Sequence, residues 1–230
     1  MIRTFLTALL LFTSPAWAAP IDDAAAAKAR GDYVAELRIT RPLAANGDPF
    51  AQTFLGDSYA FGQGVVQDYA EAAKWYRLAA AQGWAEPQSN LGTMYIRGWG
   101  VVQDYTEALR WLRLAAAQGD AQAQFNLGGM YEKGQGVVQD YAEVVKWYRL
   151  AAAQGDAQAQ TNLGTMYGKG QGVPRDFVLA HMWFNLAAAK GDAVAAKNRG
   201  FAELAMTPQQ KAEAQKLARE CQARDLKGCV

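Results

Sequence analysis

The chain has 230 residues, 51% of them hydrophobic and 20% charged, and a formal net charge of +1. So even a balance argues against nucleic acid and anionic membranes as partners, since both select strongly basic surfaces. One histidine and two cysteines exclude any two-histidine metal motif and make a poor zinc site, so no metal or cofactor is expected.

The first residues read as an export leader over 1–18. Arg3 is the positive start, residues 5–12 are a short apolar core, and Ala16-Trp17-Ala18 is a small-x-small cleavage site. That core is far short of the roughly 20 residues a bilayer-spanning helix needs, so no integral membrane segment is expected after cleavage. No cysteine lies beside the cut, which argues against a lipid anchor. The mature chain is expected to start at Ala19, with 22 basic side chains once Arg3 is removed against 22 acidic ones. It is expected in the periplasm or outside the cell.

Residues 19–46 form a degenerate half-repeat. An Ala-rich helix is expected over 21–30, and Asp32-Tyr33 stands 36 residues before Asp68-Tyr69. Ile39 takes the place of a tryptophan, which suits a terminal unit with fewer neighbours.

Four copies of a 36-residue unit follow over 47–190, at 47–82, 83–118, 119–154 and 155–190. In the third copy Ala123, Leu127 and Tyr131 fall on one face of a first helix. Gly128 allows a neighbouring helix to come close, and Gly134 and Gly136 end the helix by adopting left-handed dihedrals. Asp140 is expected to cap the second helix, with Glu143 completing a capping box. Val144, Trp147, Tyr148 and Ala151 then mark its apolar face. Leu55, Leu91, Leu127 and Leu163 recur at the repeat period, as do Tyr59, Tyr95, Tyr131 and Tyr167, and Trp75, Trp111, Trp147 and Trp183. One hairpin cannot cover both its apolar faces, so the units must stack into an all-α solenoid. The aromatic ladders are expected in the core, with Trp147→Ala costing roughly 3–5 kcal/mol. Pro87 is expected to delay the first helix of the second copy.

Residues 191–230 hold a partial fifth repeat and a C-terminal capping helix. Thr207, Pro208 and Gln210 have the spacing of a helix start with a capping box. Cys221 and Cys229 are expected to pair in an oxidising compartment, with a redox pair as the alternative. Their loop would contribute about 2–3 kcal/mol if unstrained.

No catalytic residue is assigned. His181 aligns with Ala73, Leu109 and Val145 and so occupies a packing position. Ser58 and Ser89 start no SxxK and sit in no GxSxG.

The run LGxxY, GxGV, D[YF]xxA, W[YLF] and AAxxG, four times over 47–190, resembles the Sel-1-like repeat, a variant of the tetratricopeptide repeat. The resemblance implies a right-handed solenoid of antiparallel helix pairs that holds other proteins together, a non-enzymatic scaffold with a protein or peptide partner. It also implies an inner groove lined by Thr53, Ser89, Phe125 and Thr161; Asp57, Thr93, Gly129 and Thr165; Ala60, Ile96, Glu132 and Gly168; and Phe61, Arg97, Lys133 and Lys169. From these the candidate partner-binding residues are Ile96, Arg97, Phe125, Glu132, Lys133 and Lys169. Arg97, Lys133 and Lys169 make a basic row suited to a carboxylate. The alternative is that they only solvate helix ends and complement the helix dipole. Cysteine-rich relatives are linked to penicillin binding, which leaves a β-lactamase-like or peptidoglycan-binding envelope protein as the other functional reading, although these repeats carry no cysteines.

Overall fold

The computed structural model describes residues 18–226 and 228–229. The expected leader lies outside them except for Ala18. Among the described residues there are twelve helices and no strand. α1 (Ala18–Ala29) and α2 (Tyr33–Ala45) form the first hairpin. Four hairpins of near-identical dimensions follow: α3 (Pro49–Phe61) with α4 (Tyr69–Ala81), α5 (Ala85–Arg97) with α6 (Tyr105–Ala117), α7 (Ala121–Lys133) with α8 (Tyr141–Ala153), and α9 (Ala157–Lys169) with α10 (Phe177–Ala188). α11 (Ala193–Leu204) and α12 (Pro208–Ala223) both pack on α10 and close the stack. Each second helix also packs on the first helix of the next hairpin, which is the connectivity of an α-solenoid. No helix of the described residues is long and apolar enough to cross a membrane.

Aspartates set where the helices start. Asp68, Asp104, Asp140 and Asp176 each accept two amide N–H groups at the head of a second helix. The expected capping box at Asp140 does not form. Glu143 pairs instead with Lys146 one turn on, at 2.9 Å, which holds its carboxylate away from the cap. A full box does form at the head of α12, where Thr207 and Gln210 satisfy each other's amides. Pro87 does not delay α5, which starts in the same register as its counterparts. It sits in the first turn, where its missing N–H leaves no intrahelical bond unmade.

Leu55, Leu91, Leu127 and Leu163 are buried between the hairpins. The tryptophan ladder is less uniform than its spacing predicts. Trp111 and Trp183 are buried, but Trp75 and Trp147 are only half-buried. Lys146 covers the outer side of the Trp147 ring, 5.1 Å from its centroid. Tyr59, Tyr95 and Tyr131 are half-buried too, because they end at the boundary between hairpins. There Arg77, Arg113 and Arg149 donate to the hydroxyls of Tyr95, Tyr131 and Tyr167 at 3.1, 3.1 and 2.7 Å.

Two further devices join one hairpin to the next. Gly100, at φ +65°, lies so close to α4 that a Cβ would fall 2.1 Å from the Tyr69 carbonyl oxygen. Only glycine satisfies both the left-handed backbone and this approach. The second device is a chain of buried amides. Gln52, Gln88 and Gln124 each donate Nε2 to the last turn of the preceding second helix, at Ala44, Ala80 and Ala116. Each accepts at Oε1 from the Gln82, Gln118 or Gln154 that ends the following second helix, at 2.9, 2.9 and 2.8 Å.

Candidate functional site

The first helices of successive hairpins share one face, and their last turns carry every candidate residue but Phe125, which stands about two turns earlier in α7. At the α7 hairpin the floor is built by two glycines. A Cβ on Gly128 would overlap the Tyr148 ring at 2.5 Å, so the bare backbone lets that ring slide beneath α7. The Tyr148 hydroxyl emerges beside Gly129 and donates to Glu132 at 2.8 Å. Burial, then the adjacent Glu132 carboxylate, push the Tyr148 hydroxyl well above the ordinary tyrosine range, so it stays a donor. Phe125 stacks on the same ring with centroids 5.6 Å apart.

Over this floor opens a cavity of about 330 Å³. Ile96 and Arg97 border it from α5, Phe125, Glu132 and Lys133 from α7, and Asn162 from α9. Five of the six candidate partner-binding residues therefore meet in one place. Lys169 stands apart and borders a second cavity of about 390 Å³ with Phe177, Phe184, Phe201 and Asn198. Among the described residues Arg97, Lys133 and Lys169 make no ion pair. The Arg97 guanidinium lies 5.0 Å over the Trp99 ring.

The groove lining expected from the resemblance needs correction in its first series. Thr53, Ser89 and Thr161 are buried between helices, and only Phe125 of that series reaches the surface. Thr53 and Thr161 turn their hydroxyls back to the carbonyls of Pro49 and Ala157. Asparagines take up the exposed role instead. Asn126 and Asn162 border the first cavity and Asn198 the second, with Asn126 donating to Thr93 of the preceding hairpin at 2.9 Å. The repeat of Asn90, Asn126, Asn162 and Asn198 at 36-residue steps was the sequence signal for this.

At the N-terminal end of the same face Asp57 is nearly enclosed. Lys28 of α1 pairs with it at 2.5 Å, and the Tyr76 hydroxyl donates to it at 2.7 Å.

The remaining candidates lie elsewhere. Cys221 and Cys229 are bonded and fasten the end of α12. His181 is buried in α10, with Nε2 at 2.9 Å from Glu203 Oε1. No group of three His, Cys, Asp or Glu side chains among the described residues is placed to hold a metal ion.

The Sel1 repeat family model matches the chain at residues 49–84, 88–120, 121–156 and 157–192. The fold is similar to that of a Sel1 repeat protein from Oxalobacter formigenes, with TM-score 0.74 and 36% identity over 79% of this chain and 74% of that one. It is also similar to a protective antigen present in uropathogenic Escherichia coli strains that displays an SLR fold, with TM-score 0.80 and 35% identity over 85% of this chain. This chain spans 42% of the length of that antigen. No curated protein matches the chain.

Proposed function

The chain belongs to the Sel1 repeat family, and from that membership we propose that it is an exported scaffold that grips a protein partner on its first-helix face and catalyses nothing. Proteins built from these repeats are generally interaction scaffolds, so the open question is which surface does the work. The observation that carries the reading is the convergence of Ile96, Arg97, Phe125, Glu132 and Lys133 around one cavity. Those positions differ from copy to copy, whereas the leucines, glycines and capping aspartates of the scaffold do not. An apolar ring flanked by cations and amide side chains suits a peptide, whose main chain needs hydrogen bonds and whose side chains need pockets.

Export is supported by the disulfide at the end of α12 and by the leader-like composition of the first residues. The similarity to a protective antigen favours the same location.

A photocrosslinking residue at Phe125 should capture a partner in the cell envelope fraction. The same residue at Val138, an exposed loop tip away from the cavity, should not. Arg97→Glu/Lys133→Glu/Lys169→Glu should abolish the capture while helical circular dichroism persists. Equal capture from both positions, or capture indifferent to the charge reversal, would remove the first-helix face from consideration.

A further inference from the structure

The last turns of α1, α5, α7 and α9 each carry one cation: Lys28, Arg97, Lys133 and Lys169. The chain completes only the first of them. Lys28 receives a carboxylate from Asp57 on the next first helix and lies 4.7 Å over the Phe54 ring. The 36-residue equivalents of Asp57 are Thr93, Gly129 and Thr165, so no such acid follows in the later hairpins. Glu132, the carboxylate that borders the middle cavity, is held by the Tyr148 hydroxyl. The later cations keep the apolar half of the Lys28 arrangement, with Trp99 under Arg97, Phe125 across the cavity from α5, and Phe177, Phe184 and Phe201 around Lys169. What they lack is the carboxylate.

We infer that Arg97, Lys133 and Lys169 take carboxylates from an extended acidic segment of a partner protein, one at every third residue, with apolar side chains between. This inference rests on the scaffold reading above and specifies its partner. The spacing follows from helix packing. α5 packs on α7, packed helices lie about 8–10 Å apart, and the near-identical hairpins carry a step of the same order on to α9. A polyproline II segment rises about 3.1 Å per residue with three residues per turn, so positions i, i+3 and i+6 point the same way at nearly that interval. A β-strand presents i, i+2 and i+4 on one face only about 6.4–6.8 Å apart, short of that interval. A preformed polyproline II segment also loses little entropy on docking.

The test is binding of fluorescent synthetic peptides to the intact mature protein, followed by anisotropy. A peptide of repeated Glu-Pro-Leu triplets should bind at least about tenfold more tightly than one of equal composition with its glutamates out of phase, roughly 1.4 kcal/mol. Replacing its glutamates by glutamine should abolish binding, as should raised salt. Arg97→Glu/Lys133→Glu/Lys169→Glu should lose the peptide and gain the Lys-Pro-Leu counterpart, which guards against a merely unfolded variant. Equal affinity for in-phase and shuffled peptides overturns the inference, as does no binding to the wild type or no exchange of preference on charge reversal. If the peptides fail while the Phe125 crosslink still captures a partner, this inference falls and the scaffold reading stands. Loss of both removes both.

Discussion

Ala72, Ala108, Val144 and Ala180 occupy one repeat position, all buried, and in the N-terminal hairpin that position holds Glu36, equally buried. Across the boundary, where α5, α7 and α9 place Met94, Met130 and Met166, α3 places Ser58, whose hydroxyl donates to Glu36 at 3.3 Å. The C-terminal end shows the same change. His181 stands where Val145 packs, and it faces Glu203 where the other hairpins have a tyrosine. The interior of the stack is thus joined by apolar contacts and by hydrogen bonds that recur from copy to copy, whereas at both ends an individual polar pair stands in place of an apolar contact. An interior boundary must accept an identical neighbour on either side, which constrains it to self-complementary chemistry. An end unit meets one neighbour only and is free of that demand.

The largest expected effect separates two positions that the sequence makes equivalent. Trp183 is fully buried beneath α11 and α12, whereas Trp147 keeps one edge in solvent. Trp183→Ala should cost about 3–5 kcal/mol. Trp147→Ala should cost nearer 1–2 kcal/mol, in proportion to the smaller area it removes from contact. Urea midpoints of the two variants decide the matter. Equal losses would mean that the interior and the end are packed alike.

The second contrast lies in the amide chain. Gln82, Gln118 and Gln154 each complete a buried glutamine, but the fourth position holds Lys190, which turns to the Gly155 carbonyl. Gln160 Oε1, fully buried, is left without a donor among the described residues. Gln118→Ala should therefore cost about 1–3 kcal/mol by orphaning Gln88. Lys190→Gln should gain about 1 kcal/mol by extending the chain one step. A Lys190→Gln variant no more stable than the wild type in thermal unfolding would show that the end tolerates the gap.

These residues also mark where sequence reasoning stopped. The helix pairs were legible because glycine and aspartate act locally. Gly134 ends α7 and Asp140 starts α8 through their own backbone geometry and first-turn bonds. The amide chain was not legible, since each Gln88–Gln118 bond joins residues 30 apart and glutamine is as ordinary on a surface as inside. The same holds for Thr53, Ser89 and Thr161. A tetratricopeptide-like register assigns them to the open face, but in this packing they face a neighbouring helix. The cluster of Ile96, Arg97, Phe125, Glu132 and Lys133 could be selected by its variation between copies. That Lys169 falls in a separate cavity depends on Phe201 and Asn198 of α11, where the repeat pattern has already faded.

The smallest effect probes the other end and has a sign set by pH. Burial raises the Glu36 carboxyl above its usual range, with the Lys28 charge and the Ser58 hydrogen bond opposing. A carboxyl raised on folding binds its proton more tightly in the native state. The contribution it makes to stability is fully present below the unfolded value of about 4.3 and is lost as pH rises through the folded value. Glu36→Ala/Ser58→Met, which installs the interior contact at the N-terminal boundary, removes that loss. Its melting temperature should match or trail the wild type near pH 4 and lead it near neutrality, by an amount worth roughly 1 kcal/mol. A gap between the two proteins that stays constant across that range would show that Glu36 gives up its proton as readily in the stack as in the unfolded chain. The polar pair would then be a neutral substitute for the alanine–methionine contact, and not its costlier counterpart.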